Sequence, residues 1–314
     1  MSVDSRSELS GKRVLVTGAS GFTGRYMTTE LRRQGCHVIG TGARQHDAAS
    51  FGDSRGCDEF HVLELEDRVQ VEGVVNKVRP DYVVHLAAVA FVAHGNAEDF
   101  YRVNLLGTRN LLTALAGSGH VPIRTLIASS ANVYGNSLAG VIDESVPPSP
   151  ANDYAVSKLA MEHVAALWQE RLPLTVTRPF NYTGVGQADN FLIPKVVSHF
   201  KRRESTIELG NIDVWRDFGD VRSVVEAYRR LLGCADAEGL RVNVCTGVAH
   251  SLRDVIQMCS EITGHALEIR INPSFVRANE VRILKGSDAL LQKLIGAFER
   301  PSLSSTLEWM LTEA

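Results

Sequence analysis

No stretch of this 314-residue chain is long and apolar enough to cross a bilayer. The most extended apolar segment, Tyr82 to Ala93, contains His85 and falls short of the roughly 20 residues that a spanning helix needs, so no membrane partner is expected. An excess of charge is missing too. The 33 Lys and Arg stand against 36 Asp and Glu, and a net charge of −3 offers no field to attract nucleic acid or anionic lipid. Cysteine is scarce and scattered: Cys36, Cys57, Cys234, Cys245 and Cys259 are odd in number and contain no C-x-x-C. Reduced thiols are expected, with no disulfide framework and no metal site. The opening Met-Ser-Val-Asp-Ser-Arg-Ser-Glu has no apolar core, so residues 1–10 read as a disordered lead rather than a signal peptide, and a cytoplasmic protein is expected. What remains, 44% hydrophobic and 22% charged, is the composition of an ordinary globular enzyme-sized chain.

Along that chain, apolar runs alternate with amphipathic segments, the rhythm of a parallel sheet covered by helices. Strands are expected at Val14–Thr17, Gly35–Gly40, Asp81–Leu86, Arg124–Ser129 and Leu174–Arg178. Helices are expected at Tyr26–Gln34, Val69–Val78, Asp99–Ala116 and Asn152–Gln169. Beyond Asn181 the rhythm breaks into loops and short helices, and only Arg241–Cys245 keeps the look of a core strand. The expected fold class is α/β: a doubly wound parallel sheet over 11–180 plus about 218–247. A smaller, mostly C-terminal α/β substrate-binding region is expected from about 181–217 plus 248–314.

Two motifs carry chemistry. The first is Thr17-Gly18-Ala19-Ser20-Gly21-Phe22-Thr23-Gly24, which follows an apolar strand directly and opens a helix. That context makes three spaced glycines a dinucleotide turn. Gly18 permits the tight turn, Gly21 lets the backbone approach a diphosphate, and Gly24 lets helix and strand pack closely. The diphosphate rests on the helix N-terminus, beside Ser20, Phe22 and Thr23. The second strand ends Val38-Ile39-Gly40-Thr41-Gly42-Ala43-Arg44, without the carboxylate that would bind a ribose 2′-hydroxyl. A guanidinium at Arg44, helped by Arg25, suits a 2′-phosphate, which favours NADP(H) and leaves NAD(H) open. The second motif is Tyr154-Ala-Val-Ser-Lys158. Residues four apart share one helix face, about 6 Å apart along the axis. An ammonium there can stabilise a phenolate, and the hydroxyl of Ser130 can hold the same substrate oxygen. With a dinucleotide alongside, such groups move a proton and a hydride across one C–O bond.

Joined with His85-Leu86-Ala87-Ala88, the Asn104–Leu112 segment, Ser129-Ser130-Ala-Asn-Val-Tyr-Gly135 and Arg178-Pro-Phe-Asn181, these motifs resemble the extended short-chain dehydrogenases/reductases of the nucleotide-sugar branch, with a Rossmann-type nucleotide-binding domain. The resemblance implies catalytic Ser130, Tyr154 and Lys158. It implies cofactor contacts from Gly18, Ser20, Gly21, Phe22, Thr23, Gly24, Arg44, Glu64, Leu65, Leu86, Ala87, Ala88, Tyr154 and Lys158. It also implies substrate contacts from Asn104, Ser130, Asn132, Asn181, Arg216, Arg277 and Glu280, with the two arginines on the diphosphate and Glu280 on a ribose. By the same resemblance, His85 is a core or loop residue near the cofactor rather than a catalyst, Asn104 more often holds helix backbone than substrate, and the helices at 99–116 and 152–169 pair across a two-fold axis in a homodimer.

Within that branch, 4,6-dehydratases carry an acid/base pair where this chain has Ala131-Asn132, and 3,5-epimerising synthases carry a cysteine. Neither Ala nor Asn can perform that proton transfer. Carbonyl reduction at C4, or 4-epimerisation with tightly held NAD, remains. The stretches Arg178–Gln187 and Gly210–Phe218 most resemble reductases of GDP-4-keto-6-deoxy-mannose, so a GDP-sugar is the expected substrate class. The non-enzymatic alternative, a redox-sensing dinucleotide protein, would have no use for Ser130, Tyr154 and Lys158 together.

Overall fold

The computed structural model describes residues 8–43, 56–90, 96–135, 140–275 and 283–313. The continuous apolar runs become one seven-stranded sheet. Its strands are β1 (Arg13–Thr17), β2 (His37–Gly42), β3 (Glu59–Val62), β4 (Tyr82–His85), β5 (Arg124–Ala128), β6 (Leu174–Pro179) and, after three strands that lie outside this sheet, β10 (Arg241–Val244). They lie side by side as β10-β6-β5-β4-β1-β2-β3. The pairings of β1 with β2 and β4, of β2 with β3, and of β5 with β4 and β6 are all parallel. A parallel sheet is covered on both faces, which is why β4 and β6 are buried along their whole length. The chain winds outward from β1 to β3, then returns to the other side of β1 at β4. Ligands of such sheets bind at that reversal, beyond the carboxyl ends of the strands.

Two compact units divide the chain. The first comprises 1–133, 150–178 and 225–242. Its core joins Leu15, Ile39 and Val83 of the sheet to Val71 and Val75 of α2 (Arg68–Val78), and to Leu111, Leu112 and Leu115 of a long helix. That helix differs from the expected 99–116 segment. It begins as α3 (Ala97–Asp99), runs as a π-helix over Phe100–Gly107, and continues as α4 (Thr108–Gly117). π segments are rare and mark functional positions. Here the wider winding accompanies a buried Asn104 and a Gly107 seated against Leu65, where a Cβ would come within 2.8 Å of the Leu65 Cβ. The dinucleotide-turn helix, α1 (Phe22–Arg33), starts four residues before the expected Tyr26, because Gly21 itself supplies the extended N-cap. The edge strand β3 was not anticipated, since its Glu-Phe-His-Val is only partly buried.

The second unit comprises 134–149, 179–224 and 243–314. It is more regular than the broken rhythm suggested. β9 (Trp215–Asp220) is its centre, pairing in parallel with β7 (Asn181–Thr183) and β13 (Ile283–Leu284) and antiparallel with β11 (Ala249–Ser251). A separate ribbon joins β8 (Thr206–Leu209) to β12 (Glu268–Ile271). Helices α6 (Leu192–Lys201), α8 (Leu252–Thr263) and α10 (Leu303–Thr312) close a core that includes Val196, Phe200, Val255 and Leu307. Apart from β9, its strands are two to four residues long and leave no period long enough to detect in sequence.

Candidate active site

The glycine turn leaves the end of β1 with Gly18 at φ +70°, a left-handed position that favours glycine. A Cβ on Gly18 would lie 2.8 Å from the backbone of Ala87, and one on Gly24 would lie 2.1 Å from the carbonyl oxygen of Gly18. Both glycines are therefore demanded by backbone contact. Gly21 is the N-cap of α1; no side chain caps that helix there, and no acidic residue stands in its first turn. An uncapped helix start after a glycine turn is a site for an anion such as a dinucleotide diphosphate. Arg25 Nε donates to Ser20 O at 3.0 Å, which lays a guanidinium against the turn. Phe22 packs edge-on to Tyr26. The sheet end beside Gly18 is thus built to hold a dinucleotide.

Across the reversal, the β4 exit is anchored by a buried chain of hydrogen bonds whose directions can be assigned. Thr108 Oγ1 donates to Asn104 O at 2.6 Å, so its single proton is spent. It must then accept from His85 Nε2 at 2.8 Å. Burial, reinforced by the charge of Lys158, pushes the His85 pKa down to about 3, so the ring is neutral and Nδ1 is an acceptor. Thr17 Oγ1 therefore donates to Nδ1 at 2.7 Å and accepts from Ala87 N at 3.2 Å. His85 is a neutral core residue that fixes the half-buried loop carrying Leu86, Ala87 and Ala88 against the glycine turn. Asn104, expected to touch substrate, is fully buried. Its amide accepts from Val89 N and donates to Val89 O and Ser157 Oγ, so it is spent on the same loop. Leu65 faces the core and Glu64 is exposed just after β3, where the Leu65 carbonyl receives Asn110 Nδ2.

The Tyr-Lys helix is α5 (Asp153–Ala166), started by the Asn152 side chain accepting from Ala155 N. Tyr154 is 7% exposed and meets Phe100 edge-on at 5.8 Å between ring centroids. Lys158 Nζ donates to Ala128 O at 2.8 Å, at the end of β5. Burial brings the Lys158 pKa down to about 8, with Glu162 opposing that shift. Two residues past Ala128, Ser130 Oγ accepts from Asn132 N at 3.1 Å and Asn132 Nδ2 at 3.0 Å. Its acceptor sites are taken and its proton is left to give. Asn132 thus serves Ser130 through its backbone N–H and one Nδ2 proton. Ser130, Tyr154 and Lys158 belong to the first unit with the glycine turn.

The remaining expected contacts are Asn181, Arg216, Arg44, Arg277 and Glu280. Asn181 is exposed on β7, opposite Phe218. Arg216 is half-buried on β9, with Nη1 donating to Trp215 O. Both belong to the second unit. Arg44, Arg277 and Glu280 lie outside the described residues. Sequence reasoning passed over Ser129 and Glu162, which share a 2.6 Å hydrogen bond. The signal was there: Glu162 stands four residues after Lys158 and eight after Tyr154. Among the described residues no cluster of His, Cys, Asp or Glu could hold a metal, all five cysteines are free, and no helix is long and apolar enough to cross a membrane.

Comparison with known proteins matches residues 14–245 to the NAD dependent epimerase/dehydratase family. The chain is 38% identical over 313 residues to the GDP-6-deoxy-D-mannose reductase of Pseudomonas aeruginosa, covering 96% of this chain and 97% of that protein. It is 35% identical over 284 residues to the GDP-6-deoxy-D-talose 4-dehydrogenase of Aggregatibacter actinomycetemcomitans, covering 90% and 91%. The solved structure of RMD from Pseudomonas aeruginosa in complex with NADPH superimposes with a TM-score of 0.83 at 32% identity, over 96% of this chain and 98% of that one.

Proposed function

The chain belongs to the NAD dependent epimerase/dehydratase family, and within it we propose an NAD(P)H-dependent reductase of the C4 ketone of a nucleotide-activated 4-keto-6-deoxy-hexose. The preferred substrate in this reading is GDP-4-keto-6-deoxy-D-mannose, giving GDP-D-rhamnose or its C4 epimer. One observation carries it. Ser130 is left with a proton to donate by a neutral Asn132, so no carboxylate or thiol stands at 131 or 132 to remove a proton from the sugar ring. Chemistry confined to one C–O bond is what remains. The names of two relatives, a GDP-6-deoxy-D-mannose reductase and a GDP-6-deoxy-D-talose 4-dehydrogenase, support a GDP-sugar oxidised or reduced at C4.

When bound, the dihydronicotinamide supplies the hydride, and the glycine turn with the open start of α1 would hold its diphosphate. Ser130 Oγ donates to the ketone oxygen and fixes the carbonyl. Tyr154 gives its phenolic proton to that oxygen as C4 is reduced, so a ketone, a hydride and a proton become a secondary alcohol. Lys158, charged beside it, stabilises the phenolate until solvent returns the proton. NADP(H) is favoured over NAD(H), because β2 ends in Thr41-Gly42 and is followed by Ala43, without a carboxylate, and Arg25 lies on the turn. The NADPH bound in the Pseudomonas structure supports that preference.

Incubation with GDP-4-keto-6-deoxy-D-mannose and NADPH or NADH tests the reading. One reduced coenzyme should disappear per sugar, faster with NADPH, and in deuterated water C3 and C5 should gain no label. Turnover of a 4-hydroxy nucleotide sugar with no added coenzyme would make the protein a 4-epimerase instead. Deuterium at C3 or C5 above the non-enzymatic background would reveal a base that this reading lacks.

A further inference from the structure

Beneath the Tyr-Lys pair, the same helix face continues to a third polar residue, a glutamate. Tyr154, Lys158 and Glu162 recur every four positions along α5, so they line one face over about 12 Å. Glu162 is 1% exposed. Its carboxylate accepts from Ser129 Oγ at 2.6 Å, from Arg178 Nε at 2.9 Å and Nη2 at 2.6 Å, and from Arg241 Nε at 3.2 Å. One buried carboxylate thus ties the catalytic helix to the exits of β5 and β6 and to the start of β10. The Arg178 fork alone would neutralise it. The Ser129 bond adds nothing to charge balance, yet it falls on the residue before Ser130. Ala128, Ser129 and Ser130 are consecutive: the first gives its carbonyl to Lys158, the second its hydroxyl to Glu162, and the third faces Asn132.

We propose that Glu162 is a positioning residue of the reductase reaction, in a role that rests on the reading above. Through Ser129 it fixes the strand end that aims the Ser130 hydroxyl, and it keeps a negative charge one helical turn below the ammonium of Lys158. The charges around that ammonium are few. Glu162 stands on its own helix, with Arg178 of β6 and Arg241 of β10 on the far side of the carboxylate. His85 of β4 stays neutral through its burial, with the charge of Lys158 acting in the same direction. Burial works against a charged Lys158 and Glu162 works for it. Neutralising Glu162 therefore makes the ammonium easier to deprotonate, and shortening its side chain releases Ser129 while keeping the charge.

Three variants separate these effects: Ser129→Ala, Glu162→Asp and Glu162→Gln. Each is read by thermal midpoint, by kcat and KM on the 4-keto sugar, and by NMR titration of the 15N-labelled Lys158 ammonium. Ser129→Ala and Glu162→Asp should lower kcat about ten- to a hundredfold with KM little changed, the scale of a small misplacement of a reacting group. Both should titrate like wild type. Glu162→Gln should move the Lys158 titration, and with it the alkaline limb of the rate profile, to lower pH by about one unit or more. If Glu162→Gln does not fold, because Arg178 is left buried against a neutral amide, the other two variants still decide the positioning. Variants that lose only thermal stability, with wild-type kcat and an unmoved Lys158 titration, would overturn the proposal. If wild type reduces no 4-keto sugar, the functional reading fails by itself, while the Lys158 titration still tests the link to Glu162.

Discussion

A phenol that must surrender a proton needs a cation beside it, and Tyr154 has Lys158 one turn away on α5. Replacing Tyr154 by Phe keeps the ring against Phe100 and removes only the acid. We expect kcat to fall about 10²–10⁴-fold, the usual share of a general acid, with KM little changed. A near-normal kcat in steady-state assays would remove Tyr154 from the mechanism. His85 makes a second prediction at this scale. Its pKa is held at about 3, far below the ordinary histidine value of 6.5. In the unfolded chain it therefore takes a proton first. The stability it contributes is complete above about pH 6.5 and drains away as pH falls toward 3, at about 1.4 kcal/mol per pH unit at most. His85→Asn, which cannot titrate, should be less stable at pH 7 but lose less between pH 6.5 and 5 in urea unfolding. Parallel pH profiles for the two proteins would show that the ring is not buried neutral.

At the scale of elements, the glycine turn and α1 are fitted to each other by backbone contact. Gly24 lies inside a helix, where alanine would normally be preferred, yet its missing Cβ is what allows α1 to sit on Gly18 and Ala19. Gly24→Ala should cost about 1–3 kcal/mol through overpacking, and it should weaken dinucleotide binding because the helix start is displaced. Gly73, in the middle of α2, has nothing within 4 Å of its absent Cβ. Gly73→Ala should instead stabilise by about 0.5–1 kcal/mol. Thermal denaturation of the two variants checks both signs, and equal effects would refute the close-contact account. The π segment Phe100–Gly107 belongs here too. A sequence period near 3.6 announces a helix, but the wider winding follows from tertiary demands around Asn104 and Gly107.

For the whole molecule, we expect a homodimer. The helical segments at 97–117 and 153–166 leave Leu106 and Val156 exposed at 49% and 39%. Pairing these helices with their copies across a two-fold axis would cover them. Light scattering at micromolar concentration should return about twice the 34.3 kDa of one chain, and Val156→Glu should reduce it. A wild-type mass of one chain would exclude the dimer.

The sequence by itself determined β1, β2, β4, β5 and β6 and the helices between them, because buried parallel strands and amphipathic helices leave unbroken or periodic apolar patterns. It also determined the glycine turn and the Tyr-Lys spacing, since both are local and short. Tertiary structure decided what depends on residues far apart in the chain. It decided that Asn104 serves a loop and that His85 is a neutral link between Thr17 and Thr108. It also decided the short strands around β9 and the burial of Glu162 among Ser129, Arg178 and Arg241. Hydrogen bonds between partners tens of residues apart impose no period on a sequence, so only the folded chain could reveal them.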